Sequence, residues 1–305
     1  MIRRVPFLVG GLAAAAVLSS CSTFDTSAAA RVNGATIDDR VVETLLAGAD
    51  SPEAAARTAL DATQARVALS ELIQAAVAEQ VADRYNIDLS AARAADQELT
   101  AKNLKGERLA KWTALSADER NLISDFQIAV TALQSAQAKV PADLERRYRN
   151  PEATGFFCIR YIAFETQAAA DEASAKLSAG ADFAELADAA TGQQTGGVAS
   201  GPDDSPCVGL DQFRPPNIPD PVTRALFAAE VGVPTDPIHV TGANGEGWFI
   251  LLHRPWSEIG ADLTKKVAEA PVFAEFLAEI ARTKASVSSR YGVWDAVSGS
   301  VVQHS

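Results

Sequence analysis

The hydrophobic period of this chain changes twice, and that change constrains its fold more than any other feature. Up to Asn150-Pro151 the apolar residues fall mostly at helical spacing. Residues 38–46, entered from Ile37, carry Val41, Val42, Leu45 and Leu46 on one face. Ser51-Pro52, a capping residue with proline at the first helical position, opens a long Ala-rich helix through Val67, Leu72, Ile73, Val77 and Val81. Ser90 stands where it can cap a further helix to about Leu104. Ser116 with Glu119 spells a capping box for a helix to about Lys139, and Pro141-Ala142-Asp143 starts a short one ending near Arg149. Ahead of these, residues 31–37 read as a short strand, an Asn33-Gly34 turn and the approach to a helix.

After Asn150-Pro151 the texture is different. Residues 156–164 are rich in aromatic and branched side chains, as a strand requires. Two short helices are expected at 167–178 and 181–190, split by Gly180, then a Gly- and Pro-rich stretch over 191–221 and a helix at 222–230. Strands at 237–241 and 247–253 complete a β-α-α-loop-α-β-β order. From Asp262 the helical period returns, with Val267, Val272 or Phe273, Phe276 or Leu277, and Ile280 on one face. The fold class is therefore α+β, an inserted block between helical ends. The expected division is 1–20 leader, 21–30 tether, 31–150 helical segment, 151–258 insert and 259–305 C-terminal helix and strand.

The N-terminus predicts where such a protein works. Arg3-Arg4 precede an apolar run over residues 5–17, too short to span a bilayer comfortably. Leu18-Ser19-Ser20-Cys21 resembles the bacterial lipobox, whose cysteine is diacylated before cleavage; the alternative is an ordinary signal peptide followed by a chance cysteine. The resemblance places the protein on the extracytoplasmic side of the cell membrane, held by lipid on Cys21. Removing residues 1–20, which hold two arginines and no acid, leaves the chain more negative than its formal −12. Such a surface repels nucleic acid and anionic head groups, so neither is an expected partner by net charge. With Cys21 assigned to lipid, Cys158 and Cys207 remain. In an oxidising compartment they read as a disulfide closing a loop of about 50 residues, worth roughly 4 kcal/mol; the alternative is two buried free thiols.

Residues 156–255 resemble a parvulin-type peptidyl-prolyl isomerase domain. The marks are the run from Ala173 to Ala187 around Gly180-Ala181-Asp182-Phe183, then Gly196-Gly197, and Phe227, Gly232, Asp236-Pro237-Ile238 and Gly247-Trp248-Phe249-Ile250-Leu251. The flanks resemble the chaperone part of SurA/PrsA-like foldases, with Val32-Asn33-Gly34 and Ile37 at the front and Val287 to Asp295 at the back. The resemblance implies one chaperone domain built from both chain ends around the insert, with the N-terminal segment paired to the C-terminal one. It also implies unfolded or newly exported polypeptides as partners and no cofactor.

An X-Pro bond rotates over a barrier of roughly 18–20 kcal/mol because rotation breaks amide resonance. Active parvulins resemble one another in two histidines flanking a Cys or Asp, with a hydroxyl nearby. Here those positions hold Tyr161, Phe249 and Gln193, and Thr235 keeps the hydroxyl. Ile218, Val222 and Phe227 fall where the family has its apolar proline pocket. The expectation is peptide binding with weak or absent isomerisation; the rivals are a working isomerase that tolerates these residues and a structural or cell-wall assembly lipoprotein with one partner. His239, His253 and His304 match none of the roles and read as surface or strand-end residues. Arg290-Tyr291 and the four residues after them read as the anchor of a terminal strand. No metal-ligand cluster and no Gly-x-x-x-x-Gly-Lys loop occurs in the sequence.

Overall fold

Asn33 and Gly34 both adopt positive φ, +48° and +91°, which a two-residue hairpin turn demands and which Asn and Gly tolerate best. They join β1 (Ala28–Val32) to β2 (Ala35–Asp38), and Val32 faces Ala35 across the turn. In this computed structural model, residues 27–46, 57–191, 196–198, 205–214, 217–242 and 245–304 are described. Cys21, Ser51-Pro52 and Gln193 lie outside them.

The hairpin leads into α1 (Asp39–Leu46), α2 (Arg57–Arg84), α3 (Ser90–Asn103), α4 (Gly106–Ala114), α5 (Ala117–Ser135) and α6 (Leu144–Arg147). α2 is the central helix. Its small Ala75, Ala76, Ala78 and Ala82 let neighbours close in around Leu69, Leu72, Ile73, Val77 and Val81, all buried. Each such aliphatic side chain taken from water contributes roughly 1.5–3 kcal/mol. Val67, expected on the buried face, points to solvent at 54% exposure because it sits off the stripe that Leu69, Leu72 and Ala76 define.

Local signals set some of the boundaries. The Ser116 hydroxyl accepts the Glu119 amide at 3.2 Å and the Glu119 carboxylate accepts the Ser116 amide at 2.8 Å, so the capping box forms as written in the sequence. Ser90 does not cap α3; it is the first helical residue, and its amide donates to the Asp88 carboxylate at 2.9 Å. α4 is an element the sequence reading lacks, because Gly106 obscures its start. Buried Asp125 on α5 accepts two bonds from Arg93 on α3, at 2.5 and 2.7 Å, and Arg93 also reaches Glu79 on α2 at 2.8 Å. That shared arginine fixes the three helices in register, since an unpaired charge at Asp125 would be costly.

The insert begins with β3 (Phe156–Phe157) and β4 (Ile159–Phe164), where a single strand was expected. It continues through α7 (Gln167–Ser178), α8 (Phe183–Thr191), β5 (Gly196–Val198), β6 (Val208–Gly209), α9 (Asp220–Ala228), β7 (Ile238–Gly242) and β8 (Gly245–His253). β4, β5, β7 and β8 form an antiparallel sheet in the order β5-β4-β8-β7. β3 leaves that sheet to pair with β6, placing Phe157 opposite Val208. The next residue of one strand and the preceding residue of the other are Cys158 and Cys207. They are bonded, with Cα atoms 4.1 Å apart, so the disulfide closes the end of this short ladder.

After the insert come α10 (Trp256–Glu269), α11 (Phe273–Arg282), β9 (Ala285–Val287), β10 (Val293–Asp295) and β11 (Ser300–Val302). The single C-terminal helix expected from the period is two, because Pro271 has no amide to carry the helix across 270–272. β9 pairs with β1, Val32 facing Ala285 and Ala30 facing Val287, so the two ends of the chain share a sheet of order β2-β1-β9. One contiguous apolar cluster runs from α2 and α11 into the insert through Phe157, Ile159, Leu210, Phe213, Leu226 and Leu251. Among the described residues no helix is long and apolar enough to cross a membrane.

Candidate functional site

The insert's sheet has two faces, and the period-two alternation of β4 and β8 assigns every residue to one of them. Ile162, Phe164, Ile250 and Leu252 cluster with Ala173 and Leu177 of α7 and Phe183 and Ala187 of α8. The opposite face carries Ile159, Tyr161, Phe249 and Leu251, and α9 covers part of it with Val222, Leu226 and Phe227. Tyr161 stands opposite Leu251 and Phe249 opposite Ala163, so the two positions expected to replace histidines are diagonal neighbours on this face. Ile238 is the partner of Phe249 on the other side, in β7.

Tyr161, Ile218, Phe227, Ile238 and Phe249 are each half-buried, presenting an aromatic and aliphatic surface. Val222 is in the core, only 8% exposed, and supports this surface from beneath. The Phe227 ring meets Phe157 edge-on at 5.3 Å, and Phe157 packs edge-on against Phe213 at 5.4 Å. Such aromatic pairs add roughly 0.5–1.5 kcal/mol beyond area burial and hold the wall in one orientation. On either side of Ile218, Arg214 and Arg224 tie the wall to the C-terminal hairpin β10–β11. Arg214 donates to the Ala296 carbonyl at 3.3 Å, and Arg224 bonds Asp295 at 2.9 Å and Asp220 at 2.8 Å. Burial pulls the Arg214 guanidinium down to about 10, opposed by Asp295 and Asp211. The Asp220-to-Arg224 spacing of four was visible in the sequence; the reach to Asp295 was not.

Thr235, the one hydroxyl expected at the site, is already engaged. Its Oγ1 accepts the Leu251 amide at 3.0 Å, and its own amide donates to the Leu251 carbonyl at 2.9 Å. β7 starts only at Ile238, so Thr235 satisfies the free edge of β8 in its place. His253 ends β8 but is not at the surface: it is fully buried on the same face as Leu251, and its ring lies 5.0 Å from Phe157. Its Nε2 donates to the Leu226 carbonyl at 2.8 Å. Desolvation holds its pKa down to about 4, so it is neutral at physiological pH. Sequence reasoning placed it at a strand end but could not see the aromatic residues from β3 and α9 that close over it.

His239 stacks on Trp248 at 4.8 Å and is exposed, as expected of a surface strand residue. Arg290 pairs with Asp39, Tyr291 donates to Asp39 at 3.2 Å, and β10 begins two residues later, the terminal-strand anchor read from the sequence. Among the described residues no cluster of His, Cys, Asp or Glu could hold a metal ion. The sheet face presents aromatic and aliphatic side chains that are only half-buried.

No protein-family model matches the chain, and no curated protein matches it. Two solved structures are similar to it in part: the crystal structure of PrsA from Bacillus subtilis and that of foldase protein PrsA from Streptococcus pneumoniae. The first is 15% identical, with 68% of this chain and 78% of that chain covered at a TM-score of 0.25. The second is 16% identical, with 80% and 85% covered at a TM-score of 0.23. A likeness this loose carries no function across, so function is argued from the residues.

Proposed function

We propose that this protein is a lipid-anchored extracytoplasmic chaperone of the foldase kind, which holds unfolded exported polypeptides by apolar contacts and isomerises prolines weakly or not at all. The observation that carries the reading is the half-buried face of Tyr161, Phe249, Ile238, Ile218 and Phe227, apolar where the resembled isomerases have a polar network. A proline ring or an exposed client side chain gains by leaving water against such a surface. Faster rotation would need interactions stronger in the twisted amide than in the planar one, and a uniformly binding face supplies none. Anchoring through Cys21, and a chaperone unit made of residues 31–150 and 259–305 around an insert at 151–258, belong to the same reading. The β1–β9 pairing supports the second of these.

The test combines two assays on the purified chain. Aggregation of an unrelated unfolded protein should be suppressed at near-stoichiometric ratios, while cis/trans exchange of a proline tetrapeptide should run near the uncatalysed rate. Isomerisation at ordinary parvulin rates would sink the reading of the site, and failure to suppress aggregation would sink the chaperone reading.

A further inference from the structure

A second cleft, of about 520 Å³, opens where the N-terminal part of α2 meets the turn after β9 and the C-terminal residues. Arg66, Arg290, Tyr291 and His304 line it, with Thr63 and Ser289 at its rim. In a chain of net charge −12 this concentration of basic and hydroxyl groups is out of pattern, and among the described residues no carboxylate lines the cleft. Arg290 is shared with Asp39 behind it, and Glu43 also faces it. Arg66 pairs with no carboxylate among the described residues; its guanidinium bonds the Thr63 hydroxyl at 3.0 Å, which leaves further donors for a ligand. The turn that brings these groups together depends on Gly292, whose φ of +132° brings it so close to the Val302 carbonyl that a Cβ would collide with that oxygen.

Position then selects the ligand. The Ser288 amide, next to Ser289 of the cleft, donates to the Ala29 carbonyl at 2.9 Å, and the amide of Asp39, the partner of Arg290, donates to the Ser27 carbonyl, so residues beside the cleft are bonded to the first described residues of the chain. Ser27 follows Cys21 by six positions. Even fully extended, that stretch reaches only about 20 Å. Resting on the reading that Cys21 is lipidated, we propose that this cleft takes the phosphate of an anionic phospholipid headgroup and so sets the orientation of the anchored protein on the bilayer. Planar guanidinium forks suit a phosphodiester oxyanion, which they bind through paired charge-assisted bonds. The protein's acids elsewhere do not cancel the attraction, because salt screens them beyond about 8 Å.

The experiment titrates the full chain, in a neutral detergent, with dihexanoylphosphatidylglycerol, dihexanoylphosphatidylcholine, inorganic phosphate and an oligoglutamate peptide. Saturable binding should be tightest for the phosphatidylglycerol, and Arg66→Gln should weaken it about tenfold or more, the loss expected for a bond to a charged group. Arg66 makes no ion pair among the described residues, so this variant should keep its circular dichroism spectrum; Arg290→Gln, which takes from Asp39 its ion-pair partner and leaves it the Tyr291 hydroxyl, serves only as a second check. Equal affinity for inorganic phosphate would make the cleft a free-phosphate site, tighter binding of oligoglutamate would make it a site for acidic peptides, and indifference to Arg66→Gln would remove the site; each overturns the proposal. The intact mass of the same preparation tests the anchor separately. An unacylated chain whose lipid affinity depends on Arg66 leaves the cleft standing and the anchor reading wrong, whereas an acylated chain with an indifferent cleft does the reverse.

Discussion

Replacing Thr235 by valine separates a structural hydroxyl from a catalytic one. The substitution keeps the branched shape and removes a single acceptor, the Oγ1 that takes the Leu251 amide at 3.0 Å. Leu251 is 2% exposed, so water does not readily replace that acceptor. A buried donor left without a partner costs about 1–3 kcal/mol. For a chain of this size each kcal/mol lowers Tm by about 2–4 °C, so the expected fall is roughly 2–12 °C. Thr235→Ser, which keeps the hydroxyl, should stay near the parent. Thermal unfolding followed by circular dichroism reads the stability, while peptide affinity and prolyl exchange, measured below the transition, should not move. Unchanged Tm together with a drop in prolyl exchange would refute the argument, because the hydroxyl would then act on substrate and not on the edge of β8.

Four further outcomes follow from the same geometry. His253 is neutral when folded, with a pKa of about 4, and its ordinary value is 6.5. The unfolded chain therefore binds more protons between these values, and stability should fall as pH drops from about 6.5 to 4; denaturant titrations should show this slope flattened in His253→Gln. Replacing Cys158 and Cys207 together by alanine should cost about 4 kcal/mol on the chain-entropy model, and the parent unfolded in denaturant without reductant should show neither thiol to a thiol reagent. Cys21→Ser should release the protein from membranes or leave it uncleaved, and an unchanged lipid mass in that variant would contradict the anchor. Tyr161→His, Gln193→Asp and Phe249→His together should raise prolyl exchange, since positions 161 and 249 already share a sheet face; no gain in a folded triple variant would place the resembled site elsewhere.

What the sequence determined by itself is local. The Asn33-Gly34 turn, the Ser116–Glu119 capping box and the helix pair of the insert depend on spacings of two to four residues, and each formed where those spacings put it, although the turn leads into strand β2 before the expected helix. The Cys158–Cys207 pairing was legible for a different reason, that only two cysteines remained once Cys21 was set aside. Tertiary structure decided what depends on approach from a distance. α10 and α11 part at Pro271 while Gln137 and Ala138, more than a hundred residues away, pair with residues 270–271. Val67 faces solvent and Ala76 the core, because the neighbours of α2 pack on the stripe of Leu69, Leu72 and Ala76 and Val67 lies off it. The same holds at the site: alternation put Tyr161 and Phe249 on one face, but the burial of His253 under Phe157, the engagement of Thr235 by Leu251 and the hold of Arg224 on Asp295 arise only when separate elements meet. Hydrogen-bond partners and desolvation are properties of an environment, and the chain acquires that environment by folding.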